Sequence, residues 1–161
     1  MARATAAALV LALLAAGCAF RRGDPLPADP PRDFLLRVEV HGVDGWPWEG
    51  WIRFEAAAGS AEYDVAFPGP PPATRRGCEA VDGAALREVW AAAGAAGLFA
   101  RVPAPAAGAA APLVVEGCAL RLDGRVSGDP AAEPALAALL EAVRRAAPVR
   151  ILRPPPGPGR P

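Results

Sequence analysis

The sequence is poor in the side chains from which most catalytic and metal sites are built. Its 161 residues contain no Lys, Asn or Gln, a single His, and only two Ser and one Thr after residue 17. A catalytic triad, or a zinc site of ordinary ligand spacing, cannot be assembled from so small a set. The formal net charge is zero, so the chain lacks the excess of basic residues that is typical of nucleic-acid-binding proteins. We therefore expect a protein that is not an enzyme, holds no metal or other cofactor and binds no nucleic acid.

The single histidine, His41, lies at the end of a strand pattern. By alternation it shares the polar side of that strand with Arg37 and Glu39. This position favours a histidine at the surface or at the rim of the fold. A role as a ligand or general base is the alternative that the sequence leaves open.

A segment long enough to cross a membrane is also missing from the N-terminus. Arg3 precedes an apolar run from Ala6 to Ala16, and small residues follow as far as Gly17. The run has 11 residues, whereas a transmembrane helix needs roughly 20. A short apolar run between a positive charge and small residues is typical of a secretory signal.

The end of this run, Ala-Ala-Gly-Cys at residues 15–18, resembles the lipobox of bacterial lipoproteins. The resemblance implies a signal peptide over residues 1–17 and fatty acyl chains such as palmitate on Cys18, which anchor the protein in the lipid bilayer. With Ala19 next, it also implies the cell envelope, at the outer membrane facing the periplasm. A simple secretory cut near Ala16 and an uncleaved, buried segment are the alternatives.

Proline divides the mature chain into a body and two flanks. Residues 18–33 contain four prolines and no apolar pattern, which predicts a tether that holds the domain about 40 Å from the membrane. Residues 34–148 are expected to form one α+β domain. Residues 149–161 are expected to be a Pro/Arg-rich disordered or polyproline-like tail, or else a ligand for a proline-recognising groove.

Apolar residues within the body follow the periods of strands and helices. Alternation predicts three antiparallel strands, with a turn at Gly59-Ser60, and then a hairpin that turns at Asp123-Gly124. Helical spacing predicts one helix that Asp82 caps and that stops near Gly97, and a second that Asp129 caps. The expected order is βββ-α-ββ-α, a small antiparallel sheet with two helices on one face.

The two cysteines of the body are 40 positions apart. Disulfides persist in exported proteins, and Cys118 shares parity with Leu120 and Leu122, which predicts a buried position. A Cys78 to Cys118 disulfide would close a loop and stabilise the fold by about 4 kcal/mol on the chain-entropy model. Two unpaired buried thiols are the alternative.

Three of the four tryptophans lie in one Gly/Pro loop, GWPWEGW at residues 45–51. If they are exposed, Trp46, Trp48 and Trp51 are candidate contacts for a ligand, because tryptophan is enriched at binding hot spots. The alternative is that these rings close the open end of a small, alanine-rich core.

The body resembles emfourin, a family of small inhibitors of thermolysin-like metalloproteases. The resemblance covers residues 34–147 and rests on VEVHGVDGWPWEGWIRFE, on the Asp82 helix ending in AGLF with Pro103 beyond it, on the hairpin around Asp123-Gly124 and on the last helix. It implies the α+β topology and an inhibitory activity, but no inhibitory residue is carried over.

The preferred interpretation is a membrane-anchored lipoprotein of the cell envelope that has a binding or structural role and no catalytic activity. The alternative is an inhibitor of an extracytoplasmic metalloprotease, or another ligand-binding module that acts on a protein or peptide partner through the Trp-rich loop.

Overall fold

The computed structural model describes residues 20–69, 72–100 and 111–153. The predicted signal peptide and Cys18, almost all of the low-complexity stretch at 103–112, and the tail from residue 154 lie outside the described residues.

A six-stranded antiparallel sheet forms one layer of the fold, in the spatial order β4-β3-β2-β1-β5-β6. This confirms the α+β class. The strands are β1 Leu35–Val40, β2 Glu49–Glu55, β3 Ser60–Phe67, β4 Ala73–Ala80, β5 Leu113–Ala119 and β6 Leu122–Gly128.

Three helices accompany the sheet in the described part of the chain: α1 Gly83–Ala95, α2 Pro134–Ala146 and the short α3 Val149–Leu152. The two long helices contact each other, and their buried residues belong to the same core cluster as the sheet. Asp82 caps α1 as predicted, since its carboxylate accepts a hydrogen bond from the Ala84 amide at 3.1 Å.

The apolar side of the sheet follows the predicted alternation. Leu36, Val38 and Val40 of β1 are completely buried, and so are their β2 partners Ile52 and Phe54. Because side chains alternate along a strand, the other side of the sheet carries Arg37, Glu39 and their neighbours. The core thus lies on one side of the sheet.

The order differs from the predicted one because a fourth strand, β4, precedes the first helix. Its core-side positions hold Arg75, Gly77 and Glu79 in place of apolar residues, so the strand has no hydrophobic period. Arg75 and Glu79 have partners that are close in space but distant in sequence. The Tyr63 hydroxyl donates to Glu79 at 2.8 Å, and a Cβ at Gly77 would meet that hydroxyl at 2.6 Å. Burial and the Glu79 hydrogen bond raise the pKa of Tyr63.

The hairpin between β5 and β6 turns three residues earlier than predicted, at Leu120 and Arg121. Both have positive φ, 54° and 63°, as a type I′ turn requires. Gly124 lies inside β6 opposite Gly117, and a Cβ on either residue would meet Leu98. The glycine is therefore needed for close packing and not for the turn.

The last long helix begins at Pro134 and not after Asp129. Glu133, the residue before this proline, is extended, with φ −121° and ψ 99°, because a following proline disfavours helical geometry. Asp129 instead holds a turn, in which its carboxylate accepts from the Ala131 amide at 2.8 Å.

The ordered chain also continues past the predicted boundary at residue 148. Ile151 in α3 is fully buried, and the Arg75 guanidinium donates to the Arg150 carbonyl. Arg150 lies 3.7 Å from Glu79. The short helix therefore covers the core beside the edge strand β4.

The expected Cys78 to Cys118 disulfide is not formed. Both thiols are free, and three strands lie between β4 and β5, a separation of about 19 Å at the usual strand spacing. A disulfide needs Cα atoms closer than about 7 Å. Cys118 is also not on the core side but on the side of Val114 and Glu116. The predicted parity with Leu120 and Leu122 fails because Leu120 lies in the turn and Leu122 on the next strand.

We expect the two thiols to react separately with iodoacetamide at about pH 8, with Cys78 modified first. Cys78 is exposed, whereas burial raises the pKa of Cys118, with Asp123 and Asp33 adding to the shift, so a smaller fraction of Cys118 is thiolate. Peptide mass spectrometry after timed alkylation measures both rates. Thiols that alkylate only after reduction would contradict the structure.

Candidate functional site

The N-terminal segment, residues 20–33, lies against the domain, although the sequence predicts a free tether. The Trp90 indole NH donates to the Pro27 carbonyl at 2.7 Å, and the Arg22 guanidinium donates to the Asp123 carbonyl at 2.6 Å. Asp29 lies 3.7 Å from Arg87, the first charged residue of α1. The segment therefore contacts α1 and the β5–β6 hairpin.

Trp90 holds this segment to the core. Its ring meets Phe34 edge-on at 4.9 Å and lies 5.5 Å from Phe99, and the side chain is almost completely buried. A buried indole NH without an acceptor would be costly, and the Pro27 carbonyl supplies that acceptor.

A groove of about 470 Å³ runs between this segment and the helix. We call it the α1 groove; it is lined by Phe20, Gly23, Asp24, Leu26, Pro27, Ala28, Trp90, Ala91, Gly94, Ala95, Phe99 and Ala100. Ala91, Gly94 and Ala95 are three and four positions apart, so they form one side of the helix. A Cβ on Gly94 would clash with Leu26, which explains the glycine.

The sequence contains two weak signals of this groove. Leu26 is the one large apolar residue between the prolines of residues 25–31, and the exposed side of the second half of α1 carries Ala91 and Ala95 where charged residues are usual. Neither signal alone predicts the groove, because Leu26 belongs to one wall and the helix surface to the other.

The three tryptophans of the loop do not form one surface. Trp48 is 1% exposed and belongs to the core, which agrees with the core-closing alternative for this ring. Trp51 points to the charged side of the sheet, where Arg37 covers it at 4.9 Å from the ring centroid. Trp46 is half-buried and contacts Trp48 edge-on at 5.3 Å.

Of these rings, only Trp46 lines a described pocket. This Trp46 pocket, of about 370 Å³, lies between the β1–β2 loop and α2. Its charged side chains are Asp44, Asp129, Glu141 and Arg144, so acidic groups outnumber basic ones. The pocket and the N-terminal segment lie at opposite ends of β1. Just after β1, the His41 amide donates to the carbonyl of Pro112, which lines the pocket. Just before β1, Asp33 at the end of the segment accepts from the Arg121 amide.

The side of the sheet away from the core carries ion pairs between neighbouring strands. Arg53 meets Glu62 at 2.5 Å, Arg125 meets Glu116 at 3.1 Å, and Arg76 pairs with Asp64. Opposite charges on paired strands stabilise a sheet by a few tenths of a kcal/mol each.

His41 is exposed, and its Nε2 atom lies 3.5 Å from the Glu39 carboxylate. The described residues contain no group of three His, Cys, Asp or Glu side chains placed to hold a metal ion. Within the same residues, no helix is both long and apolar enough to span a membrane.

Comparison with known proteins gives no family. No family model matches the chain, and no curated protein or solved structure matches it. The resemblances to bacterial lipoproteins and to emfourin therefore stay predictions.

Because Trp48 and Trp51 lie in different environments, we expect their alanine variants to lose different amounts of stability. Trp48→Ala should lower the free energy of unfolding by about 3–5 kcal/mol, because it empties a core site. Trp51→Ala should cost only about 1 kcal/mol, the scale of an exposed cation–π contact. Urea unfolding of both variants compares them, and equal losses would show that Trp48 is not a core residue.

The Trp90 hydrogen bond predicts how firmly the N-terminal segment is held. Trp90→Phe keeps a ring in the core but removes a hydrogen bond of about 1 kcal/mol, so local opening of residues 20–33 should rise about fivefold. The rate of trypsin cleavage after Arg22 and Arg32 measures that opening. Trp51→Phe, on the other side of the sheet, is the control; if both variants are cleaved at the wild-type rate, the segment is not held by Trp90.

Proposed function

We propose that the protein is a lipid-anchored, non-enzymatic protein of the bacterial cell envelope that binds a protein or peptide partner. The observation that carries this proposal is the fixed N-terminal segment, which begins two residues after Cys18. An acyl anchor at Cys18 is therefore joined to a rigid part of the domain and not to a loose tether.

The short connection determines how close the domain is to the bilayer. Cys18 and Phe20 are two Cα steps apart, a span of about 7 Å. Phe20 lines the α1 groove, and the chain is bonded to the domain from Arg22 onward. With Cys18 acylated, the domain lies at the membrane surface, much nearer than the 40 Å expected from a free tether.

The same connection favours one orientation. Arg22 and Asp33 bond at the β5–β6 turn, at the end of β1 that begins with Leu35. The Trp46 pocket is at the other end, beyond Val40, about 20 Å away along the strand. An anchor at the first end therefore leaves the Trp46 pocket on the side remote from the lipid, open to a partner in the periplasm.

The chemistry of the Trp46 pocket favours a partner with apolar and basic groups. Trp46 and Leu140 supply apolar surface, while Asp44, Asp129 and Glu141 outweigh Arg144 in charge. In this proposal both long helices lie on one face of the sheet, so the ion-paired side stays free. This side is a second surface that a partner can reach.

The proposal predicts that membrane attachment depends on one cysteine. Wild-type protein expressed with its leader should be found in the membrane fraction and should partition into Triton X-114, because several acyl chains on one residue give nearly irreversible anchoring. Cys18→Ala should lose both properties. Cys78→Ala, which removes an exposed thiol of the folded domain, is the matched control and should behave as wild type.

Intact mass and N-terminal peptide mass spectrometry complete the experiment. An acylated Cys18 as the first residue of the mature chain supports the proposal. A chain that keeps Met1, or one cut near Ala16 without lipid, refutes the anchor.

A further inference from the structure

The α1 groove is an open apolar surface that the folded domain leaves uncovered. Phe20 and Leu26 are half-buried, and Ala91 and Ala95 are exposed along its helical wall. Apolar patches on soluble domains usually mark a binding site. This groove lies outside the Trp46 pocket, so partner binding there does not account for it.

We propose that the α1 groove holds one of the acyl chains of Cys18 when the protein is outside a bilayer. The inference rests on the proposed acylation of Cys18. The groove would then shelter part of the protein's own anchor from water and release it when a membrane is available.

Chain continuity identifies the occupant. The described chain starts at Phe20, which is itself in the lining of the groove. The two Cα steps from Phe20 back to Cys18 span about 7 Å. An acyl chain on Cys18 is thus delivered to the groove at a high effective concentration, whereas a free lipid has to arrive from solution.

The size of the groove suits a single chain. A cavity of about 150 Å³ accommodates the six carbons of benzene. At about 470 Å³, the groove has roughly three times that volume. This is room for one fatty acyl chain but not for several.

The charge of the lining favours an acyl chain that is bound to the protein over a free fatty acid. Asp24 is the charged side chain among the lining residues. The Trp90 NH already donates to Pro27, so it offers no donor to a ligand. A free fatty acid would bring a carboxylate next to Asp24 without a basic lining residue, whereas an ester- or amide-linked chain on Cys18 carries no charge.

A photoreactive acyl chain tests this directly on the native lipoprotein. The protein is produced in bacteria grown with a diazirine-bearing fatty acid, purified, transferred to detergent-free buffer, irradiated and digested with trypsin. We expect peptides 23–32 and 88–101, which form the two walls of the groove, to be linked through the acyl chain to the peptide that contains Cys18.

Filling the groove gives a matched pair of variants. Ala91→Phe with Ala95→Phe places two rings in the groove at exposed helix positions, and the cross-link should fall to the level without irradiation. Ala138→Phe adds a ring at an exposed position of α2 away from the groove and should keep the wild-type yield. Circular dichroism checks that both fold.

The outcomes separate the groove from the anchor. If Cys18 is acylated but the two groove peptides carry no cross-link, the groove proposal fails and the anchor stands; if Cys18 carries no acyl chain, both fail. A ¹⁵N-labelled copy without the probe is mixed in before irradiation. Equal labelling of its heavy peptides would mean that the chain comes from another molecule, which also overturns the proposal.

Discussion

The indole of Trp90 joins the N-terminal segment to the core on which the rest of the fold is built. Its ring packs on Phe34, where β1 begins, and on Phe99, after α1, while its NH holds the Pro27 carbonyl. This hydrogen bond, of about 1 kcal/mol, adds to the packing of Leu26 and to the bonds of Arg22 and Asp29 in holding the proline-rich segment against the domain. The α1 groove, which lies between this segment and the helix, therefore depends in part on this side chain.

The sequence predicts those parts of the fold in which the buried side chains follow the alternation of a strand or the spacing of a helix. The strands β1 to β3 and the apolar stripes of both long helices follow from alternation or from helical spacing. The pattern fails at β4, because this edge strand faces Tyr63 and α3 with arginine and glutamate, and these groups are satisfied by partners far away in sequence. A strand whose polar residues pair with groups distant in sequence shows no hydrophobic alternation by which it could be predicted.

Small residues misled the prediction for a related reason. Asp123-Gly124 has the composition of a tight turn, yet Gly124 is a packing position against Leu98, and two residues without glycine take the left-handed conformation instead. Gly94 likewise leaves room for Leu26, which identifies the α1 groove only after the docked segment is known. A glycine in sequence indicates that a side chain is excluded, but it does not indicate whether backbone conformation or a neighbour excludes it.

An alanine-rich chain that buries its few large side chains in one core has consequences for its surface. Trp48, Trp90, Phe34 and Phe54 are all in the core, and after Arg87 and Glu88 the outward side of α1 is left with alanine and glycine. The N-terminal segment contacts this helix through Leu26 and Pro27 and leaves the α1 groove beside them. The groove is therefore a result of the small side chains along the helix. Because this groove is apolar and the outer side of the sheet is ion-paired, the domain has two surfaces of contrasting chemistry.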